Sequence, residues 1–222
     1  MSIAGTYIII CEGASECNYL EHLNRFLGTL PLPKGAGPIQ LRFIARPKNF
    51  DPKTGANVGC GGGDFGKVSS AYRREWRGNR TYPFGIWVDA DIYVRNDKHN
   101  QDHYHSRPGH VPDFDFSILN FEDFIAMHYS DDVVDKWKTK FSETGHFRYP
   151  LHWDEYKVHY NEIFPEYDKN RLPVDFLSVE KLQNLVRHLD EMPDIDYHGL
   201  RIDETFAGLL KRVLGTAYPE LF

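Results

Sequence analysis

Cysteine is scarce in this chain: three residues, at Cys11, Cys17 and Cys60, scattered over 222 positions. That number and spacing exclude a disulfide framework and a zinc ribbon, and fit a reducing compartment. No apolar run approaches the roughly 20 residues needed to cross a bilayer, so no membrane association is expected. No basic segment leads into an apolar one near the N-terminus, so no secretory signal is expected and the predicted location is the cytoplasm. Internal repeats and low-complexity tracts are lacking. Positive charge is also short overall. The net charge of −6 argues against a protein that binds nucleic acid over its whole surface.

Aromatic residues, in contrast, make up 14% of the chain, enough for a substantial core. The charge is uneven as well. Between Lys34 and Arg80 there are ten lysines and arginines against three acids. A basic strip on an acidic protein suits a phosphate-binding face, although a solvated helix face gives the same count.

Taken in order, residues 6–11 read as a short buried parallel strand. Gly13 then allows a tight turn and Ser15 caps a helix whose Tyr19, Leu20, Leu23, Phe26 and Leu27 share a face, with Gly28 at its end. A second strand is expected over 39–45, a glycine-rich loop over 47–66 and a basic helix over 67–77. A third strand over 84–88 delivers Asp89 and Asp91. Residues 93–113 lack a hydrophobic period and read as a long polar loop. A fourth strand is expected over 114–119. Asn120 then caps a helix with Phe121, Phe124, Ile125 and His128 on one face. Further helices are expected near 131–141, 153–163, 178–190 and 203–214. The predicted fold is α/β: a small parallel, Rossmann-like sheet flanked by helices over 1–130, with a helical C-terminal extension over 131–222 packed on it.

The chemistry concentrates at two strand ends. In an open parallel sheet, ligands bind beyond the carboxyl ends of strands, and Glu12 and Asp89 each stand at one. In extended chain, Asp89 and Asp91 point the same way, and Glu16 lies in the first turn of the following helix. Carboxylates packed together repel unless some protonate or a cation joins them. Oxygen donors with water suit Mg²⁺ or Mn²⁺. A lone acid at a strand end is most often a soluble cap; the pairing after two buried strands favours a metal. Two other segments are weaker. Gly61 to Lys67 lacks the hydroxyl after lysine that a nucleotide-binding P-loop needs, since Val68 stands there. Its backbone N–H groups remain candidates for a phosphate backbone. His99, His103, His105 and His110 have no cysteine nearby, so a solvated loop is favoured over zinc, with a substrate-facing role beside the Asp91 strand end ranked between the two.

The combination of Glu12, Gly13, Ser15 and Glu16 after one strand with Asp89 and Asp91 after a later one resembles the TOPRIM domain. This domain occurs in topoisomerases, primases, OLD-type nucleases and small ribonucleases. Asn120 to Phe124 followed by His128 is similar to the matching segment of RloB-like proteins, with a fainter echo at Tyr167 to Lys169. Phe121 stands where that family usually has proline, and Ala90 where it usually has a basic residue. The resemblance implies a Mg²⁺- or Mn²⁺-dependent nuclease acting on DNA or RNA, in a prokaryotic anti-phage setting. Glu12 would be the general acid/base or a metal ligand, Asp89 and Asp91 metal ligands, and Glu16 would complete the site. Glu122 is the candidate further acid and Lys169 the candidate catalytic lysine. Arg42, Arg46, Lys67, Arg73, Arg74 and Arg77 are the expected nucleic-acid track. Two alternatives stand beside this reading: a nucleic-acid-binding or regulatory module without turnover, and another phosphoryl-transfer enzyme acting on small nucleotides. No feature specifies a partner protein or a homo-oligomer.

Overall fold

The first strand, β1 (Thr6–Cys11), lies inside the sheet. Its composition requires this: Ile9, Ile10 and Cys11 expose no surface, as in a strand covered on both faces. The structure, a computed structural model, describes residues 5–31, 41–47, 63–95, 97–168, 172–189 and 205–219. After β1 come α1 (Ala14–Leu27), β2 (Arg42–Pro47), α2 (Phe65–Gly78) and β3 (Phe84–Val88). Then follow α3 (Asp91–Val94), α4 (Lys98–His105), β4 (Asp115–Phe116) and α5 (Phe121–Ala126). The remaining helices are α6 (Asp131–Glu143), α7 (Trp153–Ile163), α8 (Val179–Leu189) and α9 (Phe206–Ala217).

The four strands are all parallel, in the order β2-β1-β3-β4, and helices flank them. This is the α/β fold expected from the sequence. The chain leaves β1 toward β2 on one side and later returns to β3 on the other. The strand order therefore reverses between β1 and β3, and the crevice beyond their carboxyl ends is the switch point where open α/β sheets take ligands. Cys11 pairs with Trp87 in register, so Glu12 and the end of β3 meet there.

Several local expectations are corrected. Residues 93–113 are not one long loop: they hold the end of α3 and all of α4, anchored by buried Tyr93, Val94, Asn100 and Tyr104. Most of the remaining α4 positions are polar, so no helical hydrophobic period is visible. The fourth strand is only two residues long. The chain turns away after Phe116, and the Leu119 carbonyl accepts the Asp91 N–H at 2.7 Å instead of extending a ladder. Gly13, not Ser15, caps α1, and it does so with ordinary extended backbone (φ −141°). Its lack of a side chain matters for approach instead: a Cβ there would lie 3.2 Å from Glu16 Oε2.

The core is aromatic, and Trp87 is its centre. Tyr19, Phe121, Phe124 and Phe206 surround it, with the Phe206 ring stacked at 3.7 Å. Its Nε1 donates to Ser117 Oγ at 2.7 Å, so the one polar atom of the ring is satisfied. Phe206 opens α9, and Thr205 bridges to Phe116, so the last helix docks directly on β3 and β4. One buried cluster runs from Ile8 to Tyr218 across the boundary expected at residue 130. Among the described residues, no helix is long and apolar enough to cross a membrane.

Candidate functional site

β1 ends at Cys11 and hands the chain to Glu12, which is almost wholly buried. Its carboxylate joins two other pieces of chain. Oε2 accepts the Asp89 N–H at 2.8 Å, and Oε1 accepts the Gly63 N–H in a short hydrogen bond. Gly63 has φ +77°, and a Cβ on it would collide with Ile92 Cδ1 at 1.8 Å, so this position requires glycine. From there Asn100 takes over: its Nδ2 donates to the Gly63 carbonyl and its Oδ1 accepts the Phe65 N–H at 2.8 Å. Residues 63–65 thus form a strap fixed to Glu12 at one end and to α4 at the other.

Glu16, in the first turn of α1, accepts the Gly13 N–H at 2.9 Å. Burial, and then the neighbouring Glu12 carboxylate, push it up to about 7. Asp89 stands between these groups. Burial and the charges of Glu12, Glu16, Asp91 and Glu122 raise it well above the usual carboxylate range. Its Oδ1 has no solvent access and no hydrogen-bond partner, the one carboxylate oxygen so placed among the described residues. Glu122 comes in from the first turn of α5, is 1% exposed, and accepts from the Tyr167 hydroxyl at 3.1 Å. Burial and Glu122 raise the Tyr167 phenol, which keeps it a neutral donor.

Asp91 is placed differently from the extended-chain expectation. Ala90 has helical backbone (φ −88°, ψ −12°), so Asp91 opens α3 rather than repeating the direction of Asp89. Its Oδ1 accepts the Ile92 N–H at 2.7 Å and its Oδ2 pairs with Arg95 Nη1 at 2.9 Å. Burial raises Asp91 to about 6, with Arg95 pulling it down and Glu12 pushing it up. Arg95 in turn holds the carbonyls of Pro150 and Leu151, so Asp91 is tied to the connection between α6 and α7.

The structure therefore brings Glu12, Glu16, Asp91 and Glu122 within electrostatic reach of Asp89. Lys169 lies outside the described residues. In donor chemistry alone the set suits a hard cation: it is all oxygen, and the buried Asp89 carboxylate has an unpartnered oxygen and feels the charge of four other acids. As the side chains stand, no group of three or more His, Cys, Asp or Glu among the described residues is arranged to hold an ion.

The expected nucleic-acid track is partly neutralised. Glu75 takes both Arg46, at 3.2 Å, and Arg74, at 3.5 Å, and Lys67 pairs with Asp64 at 3.3 Å. Arg42, Arg73 and Arg77 are exposed and have no carboxylate partner among the described residues. Three backbone donors of the glycine segment are committed: the Gly63, Phe65 and Lys67 N–H groups go to Glu12, Asn100 and Asp64. Gly61 and Gly62 fall outside the described residues. His99, His103 and His105 sit on α4, and His105 Nε2 meets the Tyr93 hydroxyl at 2.6 Å.

Sequence reasoning missed the strap, the Arg95 clamp and a further buried carboxylate, Asp123. The Arg95 pair left a signal in its four-residue helical spacing from Asp91, and Asp123 in its capping-box spacing from Asn120. Asp123 accepts from the Asn120 N–H, the Tyr156 hydroxyl and His146 Nε2, at 3.1, 2.7 and 3.0 Å. It is satisfied within the protein and holds α5 to α7. In comparisons with known proteins, no family model matches the chain, and no curated protein or solved structure matches it either.

Proposed function

We propose that the chain is a divalent-cation-dependent phosphodiesterase acting on nucleic acid, a nuclease of the TOPRIM type. The observation that carries this reading is the buried, unpartnered Asp89 Oδ1 at the switch point, surrounded by acids whose repulsion a cation would relieve. Asp89, Glu16 and Glu122 would hold Mg²⁺ or Mn²⁺. Such an ion supplies charge neutralisation at a phosphodiester and lowers the pKa of a bound water. Glu12 acts as a positioning residue, since both of its oxygens hold backbone amides and so fix Asp89 and the strap. Tyr167 orients Glu122 by donating to it. Arg42, Arg73 and Arg77 offer exposed positive charge to a phosphate backbone.

The decisive experiment is cleavage of a mixed DNA and RNA panel with Mg²⁺, with Mn²⁺ and with a chelator. Cleavage should require the cation and should fall at least about a hundredfold in Asp89→Ala. Full activity in that variant would overturn the assignment.

A second reading has one specific observation behind it: Glu12 and Asp91 both commit their oxygens to protein donors. That pattern suits a binding module that keeps the fold without turnover. Cation-independent binding of nucleic acid with no cleavage on any substrate of the panel would select it.

A further inference from the structure

A second cleft, of about 530 Å³, opens between α2 and α4, and the acid cluster does not use it. Lys67, Ser70 and Arg73 line it from α2, His99 and His103 from α4, and Arg107 from the segment that follows. The one acid on its wall, Asp64, is already engaged. It caps α2 by accepting the Lys67 N–H at 2.9 Å, and it pairs with Lys67 Nζ. The N-terminus of α2 is therefore occupied, and any anion in the cleft must be held by side chains.

Those side chains are donors. Arg73 has only a neutral partner among the described residues, the Ser70 hydroxyl at 3.2 Å, and Ser70 passes its own proton to the Gly66 carbonyl at 2.8 Å. Arg107 is held in place by three contacts: its guanidinium lies 4.2 Å over the Tyr104 ring, pairs with Asp113 and donates to the Tyr104 carbonyl at 2.8 Å. The His99 and His103 rings meet edge to face at 4.5 Å, and neither has a hydrogen-bond partner among the described residues. Arg73, which has no carboxylate partner among the described residues, two imidazoles and two ion-paired cations, Lys67 and Arg107, make a wall suited to an oxyanion that accepts several hydrogen bonds.

We infer that this cleft is a phosphate-binding subsite that takes a backbone phosphate of the nucleic-acid strand, beside the one at the acid cluster. The strap supports the pairing of the two sites. Gly63 is bonded to Glu12, and the next residue, Asp64, forms the wall of the cleft. The strand's identity as nucleic acid rests on the nuclease reading; the phosphate chemistry of the cleft does not.

The test is binding by the full chain, with chelator present so that nothing is cleaved. Two probes are used: a labelled single-stranded oligonucleotide and pyrophosphate. Arg73 and Lys67 are exposed, so Arg73→Gln and Lys67→Gln keep the fold. Each should weaken oligonucleotide binding about fivefold or more and flatten its salt dependence by about one phosphate contact. Both should also weaken pyrophosphate binding. Lys136→Gln, exposed on α6 and away from the cleft, should leave both probes unchanged. Equal losses in Arg73→Gln and Lys136→Gln would mean a general charge effect and would overturn the subsite, as would failure of the wild type to bind either probe. Pyrophosphate binding through Arg73 without any oligonucleotide binding would retain the phosphate subsite and overturn the nucleic-acid reading instead.

Discussion

Asp89 is the residue on which the candidate site turns. A buried carboxylate oxygen without a donor is expensive, and four neighbouring acids raise the cost of ionising it. The metal-free protein therefore carries a local penalty that either a proton or a cation relieves. Asp89→Asn removes the charge and keeps the shape. It should stabilise the metal-free protein by about 1 kcal/mol, seen as a rise of roughly 2–4 °C in Tm for a chain of this size. Wild type should gain Tm on adding Mn²⁺ and lose the gain with chelator, whereas Asp89→Asn should respond little. A thermal-shift series with and without the cation makes the comparison. An Asn variant that melts lower than wild type without metal and still responds to Mn²⁺ would show that Asp89 is a structural acid. Asp89 could be placed at a strand end from the sequence because Phe84 to Val88 is apolar and ends abruptly. Its lack of a partner could not, because the donors that satisfy Glu12, Glu16 and Asp91 come from backbone amides and from Arg95.

At the level of elements, α5 shows how the sheet is joined to the helices around it. Its capping by Asn120 was readable, because asparagine before an apolar stretch is a local signal, and the Asn120 Oδ1 does accept the Asp123 N–H at 3.0 Å. The bonds that hold α5 in place were not readable, because their partners are far away in sequence: Asp123 meets His146 and Tyr156, and His128 meets Tyr19. The same reasoning separates the helix over 67–77, visible from its pattern and found as α2, from α4, whose anchoring Asn100 is polar. His128 makes this join sensitive to pH. Its Nδ1 faces the Phe124 carbonyl at 3.1 Å and must donate, so Nε2 accepts from the Tyr19 hydroxyl at 2.9 Å. The ring is neutral, and burial lowers it from the ordinary 6.5 to about 3. As pH falls below 6.5, the unfolded chain binds a proton at this position that the folded chain refuses until about 3. Stability from this group is thus complete above 6.5 and is lost toward 3, with a limiting slope of about 1.4 kcal/mol per pH unit. His128→Gln should be less stable than wild type at pH 7, and the gap should narrow on acidification. Urea denaturation of both proteins at pH 7, 5.5 and 4.5 measures it; a gap that stays constant with pH would place the ring's neutrality in doubt.

For the whole molecule, the question is how an acidic protein presents a usable positive face. The sequence shows ten cations between Lys34 and Arg80, but the fold spends some of them internally. Glu75 alone draws in Arg46 from β2 and Arg74 from its own helix, and Asp64 holds Lys67. Glu75 is thus a brake on the strip, and removing its charge should strengthen binding rather than weaken it. In Glu75→Gln, Arg46 and Arg74 lose their shared carboxylate, and exposed Arg74 becomes available to meet phosphates. Affinity for a single-stranded oligonucleotide in chelator should rise about threefold or more at low salt. The plot of log K against log salt should steepen by about one contact's worth of counterion release. Fold stability should change little, because glutamine keeps the size of the 11%-exposed Glu75 side chain and both arginines are part-exposed. This outcome also separates the strip from long-range attraction by net charge. A single neutralised acid changes the total charge of a −6 protein only slightly, so a threefold gain confined to Glu75→Gln, and absent in a Glu→Gln change at exposed Glu180, must come from the local face. Equal effects at the two positions would mean that overall charge governs binding, and that the strip between β2 and α2 is a solvated surface.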